Sequence, residues 1–574
     1  MVLVVIAINA ARRLKMAYFL KQTKLKNRTY LSIVYSFYDA KRKETAHKVY
    51  KSLKSIETWQ NKGIGDPVSH FQKEVDKLNQ ENKKTKVKKI GKSSPVIHCG
   101  HFLLKTLFNR LDVSTLLRYM HLVNDFDFDI PELLSSLIYA RAINPCSKLR
   151  THEEVLPCMP DVKRYSYNQI LTGLEFFGHE YQKFVEVFTL KLKELYGINT
   201  DTSYFDCTNY YFEINKEDDL RRKGPSKENR KNPIVGMGLL LDANIIPIGM
   251  KLYSGNQSEK PVLRELVKKL KSQHHIIGRT IQVADKGLNC ANNIIGAIKD
   301  GDGYLFSRSV KNLPEMERNW LLNDKGFNEV RDKDGKLKYC YKSVVDTFDY
   351  SYKHEGKTIK VPIKEKRLLT YNPKLAEKQR HEILKMKEKA CGLMLSQAKK
   401  KEYGEASKYV NFTDKTGRKA VLSLNEKAIE KDWALAGYNL LVTSELKMED
   451  EKMYEVYHNL WRIEESFKIM KSDLNARPVF LQKEDTIKGH FLICYLTVML
   501  ERILQFHVFD GKYCSGEIIR FIRDFNIVKA CNQYINLAKK SDFIKDISER
   551  FNLPLENYNL KQSEVSKIMN NKKL

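Results

Sequence analysis

Thr202-Ser-Tyr-Phe-Asp-Cys-Thr208 is the stretch whose reading decides the fold. Aromatic and β-branched residues surround one acid, the composition of a half-buried strand carrying a single carboxylate. Working outward, residues 204–212 read as that strand. Residues 234–241 and 245–253 read as two more around Asp242-Ala-Asn244, a hairpin signal. A helix over 259–272, a strand over 280–284, a helix over 292–299 and a strand over 304–307 follow. The order is β-β-β-α-β-α-β. Arg279-Thr-Ile-Gln-Val-Ala284 runs directly into Asp285, so Asp206 sits on the first strand and Asp285 at the end of the fourth. Functional groups gather at strand ends in such sheets, where the crevice is not filled by side chains.

A third acid completes the pattern. Glu464 lies in Tyr457-His-Asn-Leu-Trp-Arg-Ile-Glu-Glu-Ser-Phe-Lys-Ile-Met-Lys471, which reads as one helix. At ~100° per residue, Ile463, Phe467, Met470 and Leu474 share a face that packs on the sheet. Tyr457, Trp461, Glu464, Lys468 and Lys471 share another, and Glu465 points away from it. An aspartate at a strand end is common turn chemistry, and a charged helix face is commonly just solvated. The order and context of all three acids give the signal its weight. Carboxylates so placed suit two hard divalent ions in phosphodiester chemistry, one activating the attacking oxygen and one stabilising the leaving oxygen. The element order is that of an RNase H-like core. The fold class is therefore expected to be α/β: an RNase H-like catalytic core with a β-rich insertion, preceded by a small β meander and a helical domain.

At 574 residues the chain exceeds one compact core, and 42% hydrophobic content suits a globular protein. With 100 Lys+Arg against 70 Asp+Glu the net charge is +30. Residues 1–100 hold 22 basic and 7 acidic residues, so +15 falls on the first hundred. That concentration favours a nucleic-acid partner over lysine enrichment for solubility. The ten cysteines form no Cys-x-x-Cys pair, which argues against a zinc ribbon or disulfide framework and for a reduced, intracellular setting. His98-Cys99-Gly100-His101 lacks a second ligand pair and reads as structural. No run of ~18 apolar residues is found, so no membrane span is expected. The apolar start Met1–Asn9 precedes rather than follows its basic residues, the reverse of a signal peptide, and the first fifteen residues read as an appendage.

The expected organisation is an N-terminal extension over 1–15 and a small basic β-rich domain with linker over 16–90. A helical domain, expected to bind DNA, covers 91–200. The core runs over 201–309, is interrupted by the insertion at 310–436, and resumes over 437–505 with the Glu464 helix. A helical region covers 506–574. The run Lys83-Lys-Thr-Lys-Val-Lys-Lys89 reads as a linker or a phosphate contact.

The segment around Glu464 resembles the signature of DDE transposases from bacterial insertion sequences, Y-x2-R-x3-E-x6-K. Tyr457, Glu464 and Lys471 match it, while Leu460 takes the Arg position and leaves Arg462 or Lys468 to replace that phosphate contact. Trp461-Arg-Ile-Glu464, Lys471-Ser-Asp-Leu-Asn-Ala-Arg-Pro-Val479 and Gly489-His-Phe-Leu-Ile-Cys-Tyr495 strengthen the likeness. So do Gly224-Pro-Ser-Lys-Glu-Asn-Arg230 and Val283-Ala-Asp-Lys-Gly287. The resemblance covers roughly residues 17–535. It implies an enzyme that cleaves DNA at inverted-repeat ends and transfers strands into a target, with Asp206, Asp285 and Glu464 as metal ligands. It further implies Mg²⁺ as cofactor (Mn²⁺ substituting), double-stranded DNA as partner, and a homodimer in the DNA complex. Tyr457, Trp461, Lys468, Lys471, Lys286 and Arg230 are the expected DNA contacts, and a cytoplasmic, nucleoid-associated location follows. An inactive or domesticated DNA-binding protein, or a metal-dependent nuclease without joining activity, are the alternatives.

Overall fold

Two compact units divide the chain, residues 1–92 and 93–574. The computed structural model describes residues 15–25, 27–39, 44–84, 94–228, 230–354, 357–395, 400–413, 419–530 and 533–574. Residues 1–14 of the expected extension and residues 85–89 of the basic run lie outside the described residues.

In the first unit β1 (Lys15–Leu25), β2 (Arg28–Asp39) and β3 (Glu44–Ser55) pair antiparallel in chain order. Strand alternation gathers Tyr18, Leu31, Ile33 and Leu53 in one core with Phe71 and Val75. The last two come from α2 (Pro67–Lys84), which follows the short α1 (Ile56–Gln60).

The second unit opens with β4 (Val96–His98) and five helices: α3 (Phe102–Arg110), α4 (Val113–Leu122), α5 (Ile130–Ile143), α6 (Tyr167–His179) and α7 (Tyr181–Tyr196). Helix starts are set by local chemistry. Asp129 accepts from the Glu132 amide at 2.8 Å with Pro131 in the first turn, and Ser166 and Gln169 cap α6 reciprocally. His98 binds Asn526 and His101 binds Asp161, so the His-Cys-Gly-His segment is held by structural hydrogen bonds.

The strands that follow build one large mixed sheet. They are β5 (Thr202–Tyr211), β6 (Ile234–Leu241), β7 (Pro247–Ser254), then, after α8 (Lys260–Ser272), β8 (Ile281–Ala284), and after α9 (Ala291–Lys299), β9 (Gly303–Arg308). Beyond α10 (Glu315–Leu322) come β10 (Asn328–Arg331), β11 (Leu337–His354) and β12 (Lys357–Tyr371). Next are α11 (Pro373–Leu395), the hairpin β13 (Val410–Thr413) and β14 (Lys419–Leu424), α12 (Glu426–Ala434) and β15 (Tyr438–Thr443). The sheet order is β10-β11-β12-β15-β9-β8-β5-β6-β7. β5, β8 and β9 are mutually parallel neighbours, whereas β6 runs antiparallel to β5 and to β7. Every residue of β6 is buried, as expected for a strand covered on both faces.

Sequence reading separates residues 310–436 from the core, but part of that segment continues the core sheet. β12 pairs with β15 from Lys366↔Thr443 to Tyr371↔Tyr438, and β15 pairs with β9. The remainder, α11 to α12, packs around small cores of its own, such as Ile383, Tyr409 and Ile429.

Three helices close the site region and the bundle: α13 (Asp450–His458), α14 (Trp461–Lys468) and α15 (Glu484–Ile503). Residues 484–508 are long and apolar enough to cross a membrane, but 89% of their most apolar window is buried within the protein. α15 instead threads the helical layer and meets α6 backbone to backbone. A Cβ on Gly489 would stand 2.1 Å from the Leu174 carbonyl oxygen, and one on Gly178 would stand 1.6 Å from that of Asp485. After α16 (Ser515–Asp524), β16 (Asn526–Ala530) and β17 (Gln533–Asn536), α17 (Asp542–Phe551) leads to β18 (Asn559–Leu560) and α18 (Gln562–Met569). The second sheet, β18-β17-β16-β4, joins the beginning of this unit to its end.

Candidate active site

Strand register brings two of the three acids together. β5 and β8 run parallel from Thr202↔Ile281 to Phe205↔Ala284, and the next residue on each is Asp206 and Asp285. Neighbouring strands lie about 4.8 Å apart, and paired residues point to the same face. Each acid therefore emerges beside the other.

Asp206 keeps only 18% of its side chain exposed. Its carboxylate accepts from the Cys207 amide at 2.7 Å and has the Lys227 ammonium at 3.5 Å. Burial pushes the Asp206 carboxyl up to about 6; Lys227 pulls against this, while Asp285 and Glu259 push with it. Burial alone would lower Lys227, but Asp206 and Glu259 outweigh it and hold that ammonium above its ordinary value. Lys227 also donates to the Cys207 carbonyl. The Tyr457 hydroxyl donates to Asp285 at 3.3 Å, and burial, then the Asp285 charge, hold its phenol protonated.

Sequence reading makes residues 457–471 one continuous helix. The structure has α13, a break at Asn459-Leu460, α14, and a wide π turn at Ile469–Asp473. The inner side is as expected, with Ile463, Phe467, Met470 and Leu474 buried. The segment crosses β5. Its Tyr457 end lies over Asp285, and at its far end Met470 and Lys471 meet Tyr210, the Lys471 ammonium 5.5 Å from the ring. Glu464 lies between these two fixed points, exposed and, among the described residues, with no hydrogen bond or ion pair to its carboxylate. Its neighbour Glu465 is committed elsewhere, accepting at 2.8 Å from the fully buried Arg502. The two glutamates thus differ in their surroundings: Glu465 is held in an ion pair, and the Glu464 side chain is exposed.

Among the described residues, no three His, Cys, Asp or Glu side chains stand close enough together to hold a metal ion. Asp206 and Asp285 form a pair, and Glu464 stands apart from it on the adjoining helix. The pair's chemistry still suits a divalent cation. Oxygen donors gathered under Lys227 alone leave Asp206 short of counter-charge, which is what a hard ion supplies.

A cleft of about 560 Å³ runs from Asp285 and Tyr457 past Lys286, Arg308 and Lys311 toward α11. Lys286 and Lys468 are exposed. Trp461 is 54% exposed, with the Arg462 guanidinium 5.5 Å from its ring. Leu460, at the position where the transposase signature carries Arg, is buried. Lys471 is 3.5 Å from Glu228, which also binds Arg477. Arg230 stacks 3.9 Å from the Tyr211 ring centroid. Sequence reading missed Lys227 and Glu259. Lys227 lies inside the block Gly224–Arg230, where only the fold sets it beside Asp206, and Glu259 carries no sequence signal.

Residues 214–500, half of the chain, match the family described as transposase DDE domain. The matched span contains Asp285 and Glu464 and starts eight residues beyond Asp206. No curated protein matches the chain.

Proposed function

The chain belongs to the transposase DDE-domain family, and we propose that it is the transposase of an insertion sequence. It cleaves DNA at the element's inverted-repeat ends and joins the freed strand to target DNA. The observation that carries this reading is the pair Asp206 and Asp285, emerging side by side from parallel strands beneath the segment that bears Glu464. The strand order β7-β6-β5-β8-β9, with β6 reversed, supports an RNase H-like core, followed after β9 by an insertion over 310–436 whose strand β12 extends the same sheet. The boundaries 16–90, 91–200, 201–309, 437–505 and 506–574 are part of the same proposal, as are a homodimer on DNA and a cytoplasmic, nucleoid-associated location.

In this reading Asp206, Asp285 and Glu464 hold divalent metal, Mg²⁺ by preference. Bound there, it would supply Lewis acidity for the attacking and leaving oxygens of the phosphodiester. The protein's own groups prepare that state. Tyr457 fixes the orientation of Asp285, and Lys227 tethers Asp206 beside it. At neutral pH Asp206 is mostly ionised, since its carboxyl titrates at about 6. Lys286, Lys468, Lys471, Trp461 and Arg230 contact the end DNA, the cations by neutralising backbone phosphates. One alternative is a DNA-binding protein with a silent site, favoured by the lack of a three-acid group that could hold a metal among the described residues.

Labelled DNA from the element's flanks, incubated with purified protein in Mg²⁺ or EDTA beside Asp206→Ala, separates the two. Cleavage at the boundary that needs metal and is lost in the variant is the expected result. Binding alike in both proteins without cleavage would refute the catalytic reading.

A further inference from the structure

We propose that a second cavity, formed where the end of α5 and the turn after it face the loop between α14 and α15, binds a phosphate group, in the DNA complex a backbone phosphate of the bound strand. The cavity measures about 760 Å³ and is lined by Arg141, Lys148, Arg150 and Arg477, with no carboxylate among its lining residues. Two of these cations already have partners: Arg150 pairs with Glu154 and Arg477 with Glu228. The other two are buried. Arg141 donates to the carbonyls of Leu474 and Cys146, which are neutral. Lys148 is 6% exposed and, among the described residues, its ammonium has no hydrogen bond or ion pair.

A buried ammonium without a partner is costly, and proteins seldom keep one without use. Burial and the neighbouring Arg141 lower Lys148 to about 7, so the free protein holds it only partly charged. A bound anion would restore the charge and supply the missing acceptor. His490 also lines the cavity, but its ring is bonded to the Ala476 carbonyl and burial keeps it neutral. The rim is apolar, with Leu149 exposed and Phe480 73% exposed, which suits the sugar and base on either side of a phosphate. Cations connect this cavity to the acid pair. Lys227 stands beside Asp206, its neighbour Glu228 binds both Lys471 and Arg477, and Arg477 lines the cavity wall.

That the phosphate comes from DNA rests on the transposase reading; that the cavity takes a phosphate does not. The test compares the full chain with Lys148→Met, which keeps the stem and removes the charge. In phosphate-free buffer the variant should melt at or above the wild type. Its affinity for flanking duplex DNA should fall about fivefold at 0.15 M salt, and the slope of log affinity against log salt should drop by about 0.9. Raising inorganic phosphate should raise the melting temperature of the wild type but not of the variant. A phosphate effect without a change in slope would support the site with free phosphate as its occupant. A variant that melts well below the wild type would make the ammonium a structural partner and overturn the proposal. Equal slopes together with equal phosphate responses would overturn it too. A wild type that binds no DNA would refute the transposase reading, while the phosphate arm still decides the cavity.

Discussion

Replacing Asp206 by Asn should make the metal-free protein more stable while destroying its activity. In the fold the Asp206 carboxyl titrates at about 6, against 3.8 for an ordinary aspartate, chiefly because it is buried. Between those two values the folded protein binds the proton more tightly than the unfolded chain does. Stability contributed at this position is therefore present at acid pH and is lost as pH rises through about 6. The shift is roughly 2 units at 1.36 kcal/mol each, so up to about 3 kcal/mol is withheld from the fold at pH 7.5. Asn avoids that cost and keeps an acceptor for the Cys207 amide. The second unit has about 480 residues. At about 2.1 cal/mol/K per residue its unfolding entropy is near 1 kcal/mol/K, so the gain is about 3 °C in melting temperature. Thermal melting in EDTA should show this gain in full at pH 7.5 and only about 1 kcal/mol of it, about 1 °C, at pH 4.5. Adding Mg²⁺ to about 100 times its dissociation constant should raise the wild type by a further ~2.7 kcal/mol, again about 3 °C, and leave the variant where it was. A variant that melts lower in EDTA, or that Mg²⁺ stabilises as much as the wild type, would refute the argument.

Two further substitutions separate catalysis from architecture. Glu464→Gln should leave the melting temperature unchanged and cut single-turnover cleavage by more than about a hundredfold, beyond what loss of an outer partner of a metal ligand costs. Glu465→Gln strands the fully buried Arg502 guanidinium and should cost about 3 kcal/mol, seen as a lower melting temperature, with cleavage per folded molecule retained. Gly489→Ala would drive a methyl to within 2.1 Å of the Leu174 carbonyl oxygen; a loss of at least about 3 kcal/mol and little soluble protein are expected on expression.

What was legible in the sequence follows from the range over which each signal acts. The strand carrying Asp206 and the one ending at Asp285 are local patterns, and their parallel pairing follows from the intervening helix, so their positions could be read directly. The inner face of the Glu464 segment was equally local. The break at Asn459-Leu460 was not announced, because neither Gly nor Pro marks it, and a continuous helical wheel therefore carried Tyr457 and Glu464 on one uninterrupted face. Pairing of β12 with β15 joins residues about 70 positions apart, which no short window reports. Lys148 was invisible for a related reason. In the sequence it is one lysine among many, and only the packing of α5 and α15 buries it.

The β18-β17-β16-β4 sheet sets a clock on biosynthesis. His98 pairs with Asn526 across 428 residues. At about 5–20 residues per second, the ribosome makes β4 about 20 to 90 s before its partner strand exists. Throughout that interval the hydrogen-bonding edge of β4 has nothing to close against. A message cut short between residues 464 and 526 yields a polypeptide with both aspartates and Glu464 but no closing sheet. The unit carrying the acids therefore closes this sheet only after translation has passed residue 526, later than the synthesis of all three acids.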